Sequence, residues 1–172
     1  YDDYGNRTSK ATSGFNPDGS TVSRVTTYEY NGPLNQLSLI NGPRTDVNDI
    51  TTLDYYPNDP LEGNNRARLR RVINNVSDTY TIIQRDNIQY TPTGKIASEE
   101  RPNGLLLSYT YTAGKDLIET LTQTSKNSVR VTRWSYHPTG EVKSITQADG
   151  TINAFTLAFE YDDAGRLIQT TD

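Results

Sequence analysis

The sequence predicts an all-β protein, a curved antiparallel β-sheet built from repeated hairpins. Three observations carry that expectation. A tyrosine recurs with a glycine four residues behind it, in Tyr1–Gly5, Tyr90–Gly94, Tyr136–Gly140 and Tyr161–Gly165. Apolar and polar residues alternate with a period of two between these points, which is the pattern of a half-buried strand. Tight-turn dipeptides then separate the alternating runs, and Gly supplies the positive backbone angle such turns require.

The units start near residues 1, 30, 56, 90, 111, 136 and 161, so the steps run from 21 to 34 residues. A period in this range marks a repeat protein in which each unit packs mainly on its neighbours. We expect one array over residues 1–172. Each unit is a strand ending in Tyr, a turn ending in Gly, and a short strand that leads through a second turn to the next Tyr.

The first alternating run, Val22 to Tyr30, sets Val22, Arg24, Thr26, Tyr28 and Tyr30 on one face. Asp18-Gly19 precedes it and Asn31-Gly32 follows, both two-residue loop signals, as is Asn41-Gly42. The stretch Tyr56 to Asn65 holds two prolines and a Gly and reads as a surface loop; strand-like sequence resumes at Arg66. Leu105, Leu107, Tyr109 and Tyr111 share a face after the Asn103-Gly104 turn. Leu117 to Leu121 could form a helical turn, but its sister slots hold β-branched residues, so strand is expected. Thr132, Trp134 and Tyr136 share a face. After Asp149-Gly150, Phe155, Leu157, Phe159 and Tyr161 line one side against Ala154, Thr156, Ala158 and Glu160. With roughly two strands per unit, six units give on the order of a dozen strands, more than an open twisted sheet holds flat, so the sheet should curl.

Composition agrees with a thin, half-wet sheet. Only 33% of the 172 residues are hydrophobic, and twelve Tyr stand against three Phe and one Trp. Mean hydropathy is -0.75. Tyr and Thr suit pleated surfaces with one wet side, and the phenol places a ring at a polar boundary. One apolar face and one solvated face are expected, without a thick core. The net charge of -4 disfavours nucleic acid, whose phosphates demand accumulated Lys and Arg. No apolar run reaches the 18 residues of a membrane helix. Cys is absent, which removes disulfides and thiol chemistry. Met is absent even at position 1, and both ends fall inside units, so we expect a piece of a longer array.

The repeated frame resembles the YD or RHS repeat, whose core runs Tyr-Asp-x-x-Gly-Arg-Leu. Tyr161-Asp162-Asp163-Ala164-Gly165-Arg166-Leu167 matches at every defined position, and Tyr1-Asp2-Asp3-Tyr4-Gly5-Asn6-Arg7 matches with one extra Asn. The units at Tyr90 and Tyr136 keep the frame but replace the Asp and the Arg-Leu pair. Those at Tyr30 and Tyr56 lack Gly at the fixed offset. The resemblance implies part of a YD/RHS-repeat shell, a spiralling wall that in bacterial toxins encloses a toxic polypeptide and in animal teneurins serves adhesion. It implies other YD-repeat segments and an enclosed toxin domain as partners, and a secreted or bacterial cell-surface location. No match to the family's self-cleaving segment is found.

Catalytic, cofactor and metal residues are not expected. His137, the single histidine, sits at the Asp position of a turn. The pairs Asp2-Asp3 and Asp162-Asp163 recur at one slot, where Asp bonds turn backbone, and adjacent strand residues face opposite ways. Tyr1, Tyr90, Tyr136 and Tyr161 are expected as sheet packers, and Gly5, Gly94, Gly140 and Gly165 as turn formers. Arg66, Arg68 and Arg70 would share a strand face, as a solvated face or as a contact for an anionic ligand or cargo. The alternative to a container is a carbohydrate- or protein-binding adhesion module using the tyrosine-rich face. Unpaired strand edges predict self-association.

Overall fold

The structure is a computed structural model, and it describes residues 1–77 and 80–172. The chain forms two compact units, Tyr1–Ile88 and Gln89–Asp172. In the first, β1 (Ser9–Phe15), β2 (Thr21–Glu29), β3 (Leu39–Asn41), β4 (Ile50–Tyr55) and β5 (Leu69–Ser77) pair antiparallel with their successors, and β5 pairs with β6 (Tyr80–Tyr90). In the second, β7 (Ile96–Arg101), β8 (Leu105–Tyr111), β9 (Ile118–Thr124), β10 (Val129–Tyr136), β11 (Val142–Gln147), β12 (Phe155–Tyr161) and β13 (Leu167–Thr171) do the same. The strand order in each unit is the order of the chain. Short turns enforce this, since an antiparallel neighbour is the partner within reach of a short loop.

A rule of two runs along both units. Every even-numbered strand ends on a frame tyrosine or one residue before it: Tyr30, Tyr55, Tyr90, Tyr111, Tyr136, Tyr161. Every odd-numbered strand starts after the turn that follows such a tyrosine. The third tyrosine is Tyr55 rather than the expected Tyr56. Tyr55 pairs with Leu69 across its turn as Tyr161 pairs with Leu167. Tyr56 instead occupies the first turn position and is buried.

In the second unit the two faces differ as expected. Trp134, Ile145 and Leu157 stand opposite one another across three strands, as do Tyr109 and Leu121. The reverse face is lined by hydroxyls, which bond across strands: Thr110 to Thr120 at 2.7 Å, Ser135 to Ser144 at 2.6 Å and Thr146 to Thr156 at 2.8 Å. Such pairs stabilise a sheet by about 0.2–1 kcal/mol each. The first unit departs from that pattern. Register places Ile40, Leu53 and Val72 on one face of β3 to β5 but Leu39, Ile50 and Ile73 on the other, and every residue of β4 is half-buried. Both faces there are partly apolar. The core is thin throughout: among the described residues the buried apolar side chains are Tyr56, Ala67, Ile88 and Leu107.

The Pro-rich stretch is a loop, with a 3-10 turn at Pro60–Asn65 whose N-terminus is capped by the Asp59 carboxylate, accepting from Leu61 N at 2.9 Å. The following strand begins at Leu69, three residues later than Arg66.

Candidate functional site

The repeated turn is the device that every unit shares. In Tyr161–Arg166 the residue after the tyrosine, Asp162, donates its backbone N–H to Arg166 O at 2.9 Å, while Gly165 N–H donates back to Asp162 O at 2.9 Å. Asp2 with Asn6 and Gly5, Thr91 with Lys95 and Gly94, and His137 with Glu141 and Gly140 repeat both bonds at 2.8–3.0 Å. The closing glycines have φ of +82°, +86°, +113° and +74° at positions 5, 94, 140 and 165. A side chain in this left-handed region costs about 1–2 kcal/mol.

Three units without a Gly at the fixed offset build the same turn with other residues. Asn35, Ala67 and Asp116 take the left-handed position, with φ of +58°, +53° and +52°. Gly32 N–H bonds Gln36 O, Tyr56 N–H bonds Arg68 O and Thr112 N–H bonds Leu117 O, so insertions of one residue or of a whole loop lie inside a conserved closure. Asn and Asp tolerate this backbone better than other residues. Periodicity alone missed them because it sought Gly at a fixed distance.

The second-turn glycines sort differently from expectation. Gly19 closes a turn bonded like the tyrosine turns, with Phe15 in the tyrosine place. Asn103 and Gly104 are both left-handed in a three-residue loop. Asp149-Gly150 lies in a longer connection in which Ala148 is also left-handed. Gly32 and Gly42 have no positive φ. At Gly42 the Asp49 carboxylate occupies the space of a Cβ, so close approach accounts for that glycine.

The tyrosine hydroxyls make a second repeated contact. Tyr30 donates to Arg7 O at 3.1 Å, Tyr55 to Leu37 O at 2.7 Å, Tyr111 to Ile96 O at 2.7 Å and Tyr136 to Ile118 O at 2.6 Å. In each case the acceptor is the first residue beyond the preceding turn. The phenol thus reaches back one repeat and satisfies a carbonyl where the short strand begins. Burial raises the pKa of Tyr55, Tyr111 and Tyr136 above 10.0. The excess of Tyr over Phe in the composition is the sequence signal for this contact.

The Asp of the frame caps its own turn. Asp162 Oδ1 accepts from Ala164 N and Arg166 N, each at 2.9 Å, and Oδ2 accepts from the Arg166 guanidinium at 2.8 Å. Asp2 Oδ1 accepts from Tyr4 N at 3.0 Å and Asn6 N at 2.8 Å. The backbone and side chain of Arg166 hold Asp162 below its ordinary 3.8, and the Asn6 amide does the same for Asp2. His137 occupies the equivalent slot, with its ring edge-on to Tyr161 at a centroid distance of 5.9 Å. Tyr1, by contrast, is largely exposed.

The arginine cluster is not one strand face. Arg66 and Arg68 precede β5; Arg66 Nε bonds Asn58 Oδ1 at 2.6 Å. Arg70 pairs with Asp54 at 2.7 Å, and Arg71 grips Asp86 through two bonds of 2.7 and 3.0 Å. Among the described residues no group of three or more His, Asp or Glu could hold a metal ion, and no helix is long and apolar enough to cross a membrane.

These features define a class, an antiparallel meander of tyrosine-ended hairpins closed by one recurring turn. Residues 136–172 match the family model for the RHS repeat. No curated protein sequence matches it. Among solved structures it is similar to the TcdB2-TccC3 crystal structure, with a TM-score of 0.79 and 15% identity over 98% of this chain. It is also similar to TcdB2-TccC3 without its hypervariable C-terminal region, at 0.78 and 14% over 98%. The Photorhabdus luminescens Tc holotoxin pore gives 0.69 and 17% over 86%. At these identities the likeness is one of fold. The chain spans 9%, 9% and 7% of the respective chains.

Proposed function

We propose that this chain is a segment of a YD-repeat shell, a non-enzymatic wall that encloses or carries a toxin or effector polypeptide in an exported bacterial protein. The carrying observation is the unit-to-unit contact. Tyr30, Tyr55, Tyr111 and Tyr136 place their hydroxyls on the carbonyls of the preceding repeat, so the rings serve the sheet instead of standing free for a ligand. The likeness to TcdB2-TccC3 structures supports the same reading. The mechanism is physical. A hydrogen-bonded sheet bars proteases and solvent-borne partners from whatever lies behind it. Other repeat segments are its immediate partners.

The test is a binding comparison with the purified chain. Peptides tiled across the polypeptide that naturally accompanies it are the expected ligands. Saturable binding to a defined sugar on a glycan array, with none to the peptides, would overturn the container in favour of adhesion.

A further inference from the structure

We propose that the cleft between the β3–β4 loop and the end of β5 is a binding site for a small neutral sugar. This goes beyond the container reading and does not depend on it, since a wall can carry a sugar site on one surface and still bind its cargo peptides. The loop, residues 42–49, is longer than the strand connections at 16–20, 102–104 and 125–128. It folds back on itself through Asp49, whose backbone carbonyl accepts from Gly42 N at 3.3 Å and whose Oδ2 accepts from Arg44 N at 3.1 Å. Gly42, lacking a Cβ, leaves that carboxylate its place. Between this loop and the end of β5 lies a cleft of about 350 Å³, at the small end of ligand sites of about 300–1,000 Å³.

The lining is a set of amides each anchored at one atom. Asn48 Oδ1 accepts from Ile50 N, Asn74 Oδ1 accepts from Thr51 Oγ1, and Asn75 Nδ2 donates to Thr52 Oγ1, all at 3.3 Å. The other atom of each side chain, Nδ2 of Asn48 and Asn74 and Oδ1 of Asn75, has no partner among the described residues. Asp49 Oδ1, buried on the loop side, has none either, and an unmet buried acceptor is costly. Donors and acceptors mixed in one cleft suit neighbouring hydroxyls, each of which both donates and accepts. Val47, Ile50 and Val76 add apolar surface for the C–H face of a sugar ring. The charges do not suit an ion. Arg44 is already matched by Asp46 through bonds of 3.1 and 2.8 Å, which removes the cation an anion needs. Asp49 is the one carboxylate of the lining, too few oxygens for a metal ion.

The test is an NMR titration of the isotope-labelled full chain with the methyl glycosides of glucose, mannose, galactose and N-acetylglucosamine, beside inorganic phosphate and lysine amide as charged probes. At least one glycoside should shift the amides of residues 48–51 and 74–76 saturably, with a millimolar Kd. Asn48→Ala, on the loop, and Asn75→Ala, on β5, should each weaken that binding about 2- to 10-fold, the worth of one hydrogen bond. Unchanged β1 and β2 amides in the free variants show that each has folded. Peptide binding should be the same in both variants as in the parent, so the sugar site and the container reading fail separately. No shift from any glycoside at millimolar concentration, shifts confined to residues outside the cleft, saturation by phosphate or lysine amide instead, or variants that bind as the parent does would each overturn the proposal.

Discussion

At the scale of the residue, the account turns on backbone angle and on one carboxylate. Gly165, with φ of +74°, should resist replacement. Gly165→Val is expected to destabilise the chain by about 1–2 kcal/mol, read as a fall in denaturant midpoint, and Gly165→Asn by less, because Asn tolerates that region. An unchanged midpoint for both would remove the turn from the account. Asp162 is held below its ordinary 3.8 in the folded chain. Its contribution is therefore full above the unfolded value and is lost as pH falls through the lower, folded one. Asp162→Asn should accordingly flatten the loss of stability below about pH 4, measured by thermal melts from pH 6 to pH 2. Parallel acid limbs would speak against the cap.

At the scale of the element, most strands were legible because one face of each alternates cleanly, as in β8 and β12. The rest was hidden for identifiable reasons. Ala67 is an ordinary residue, and nothing in its type announces a positive φ; the loop from Pro57 to Arg66 had to fold before the turn could be seen to close. Arg66 and Arg68 alternate with Arg70 like a strand, yet Arg66 turns back to Asn58 and the ladder starts only at Leu69. The hydroxyl contacts run between repeats, over 15 to 23 residues of sequence, beyond any local pattern. They have a consequence at alkaline pH. The folded pKa values of Tyr55, Tyr111 and Tyr136 lie above the unfolded value. Their contribution is present below about pH 10 and disappears as pH rises through the folded values. Melts from pH 8 to pH 12 should show that loss, and Tyr111→Phe should blunt it.

At the scale of the whole molecule, the chain is a repeat array whose stability is a sum of local closures and neighbour contacts more than a central core. The exposed edge of β13 should make the chain self-associate with rising concentration, seen by light scattering after size exclusion, and I168K should suppress that association; a clean monomer at high concentration for both would contradict the open-edge view. The central claim is that the phenols of Tyr30, Tyr55, Tyr111 and Tyr136 each join their repeat to the one before. It is tested most directly by replacing Tyr30, Tyr55, Tyr111 and Tyr136 singly with Phe, beside the solvent-exposed Tyr4 as control. Each of the four changes should lower unfolding free energy by about 0.5–1.5 kcal/mol while Tyr4→Phe leaves it unmoved. Four midpoints equal to that of Tyr4→Phe would contradict it.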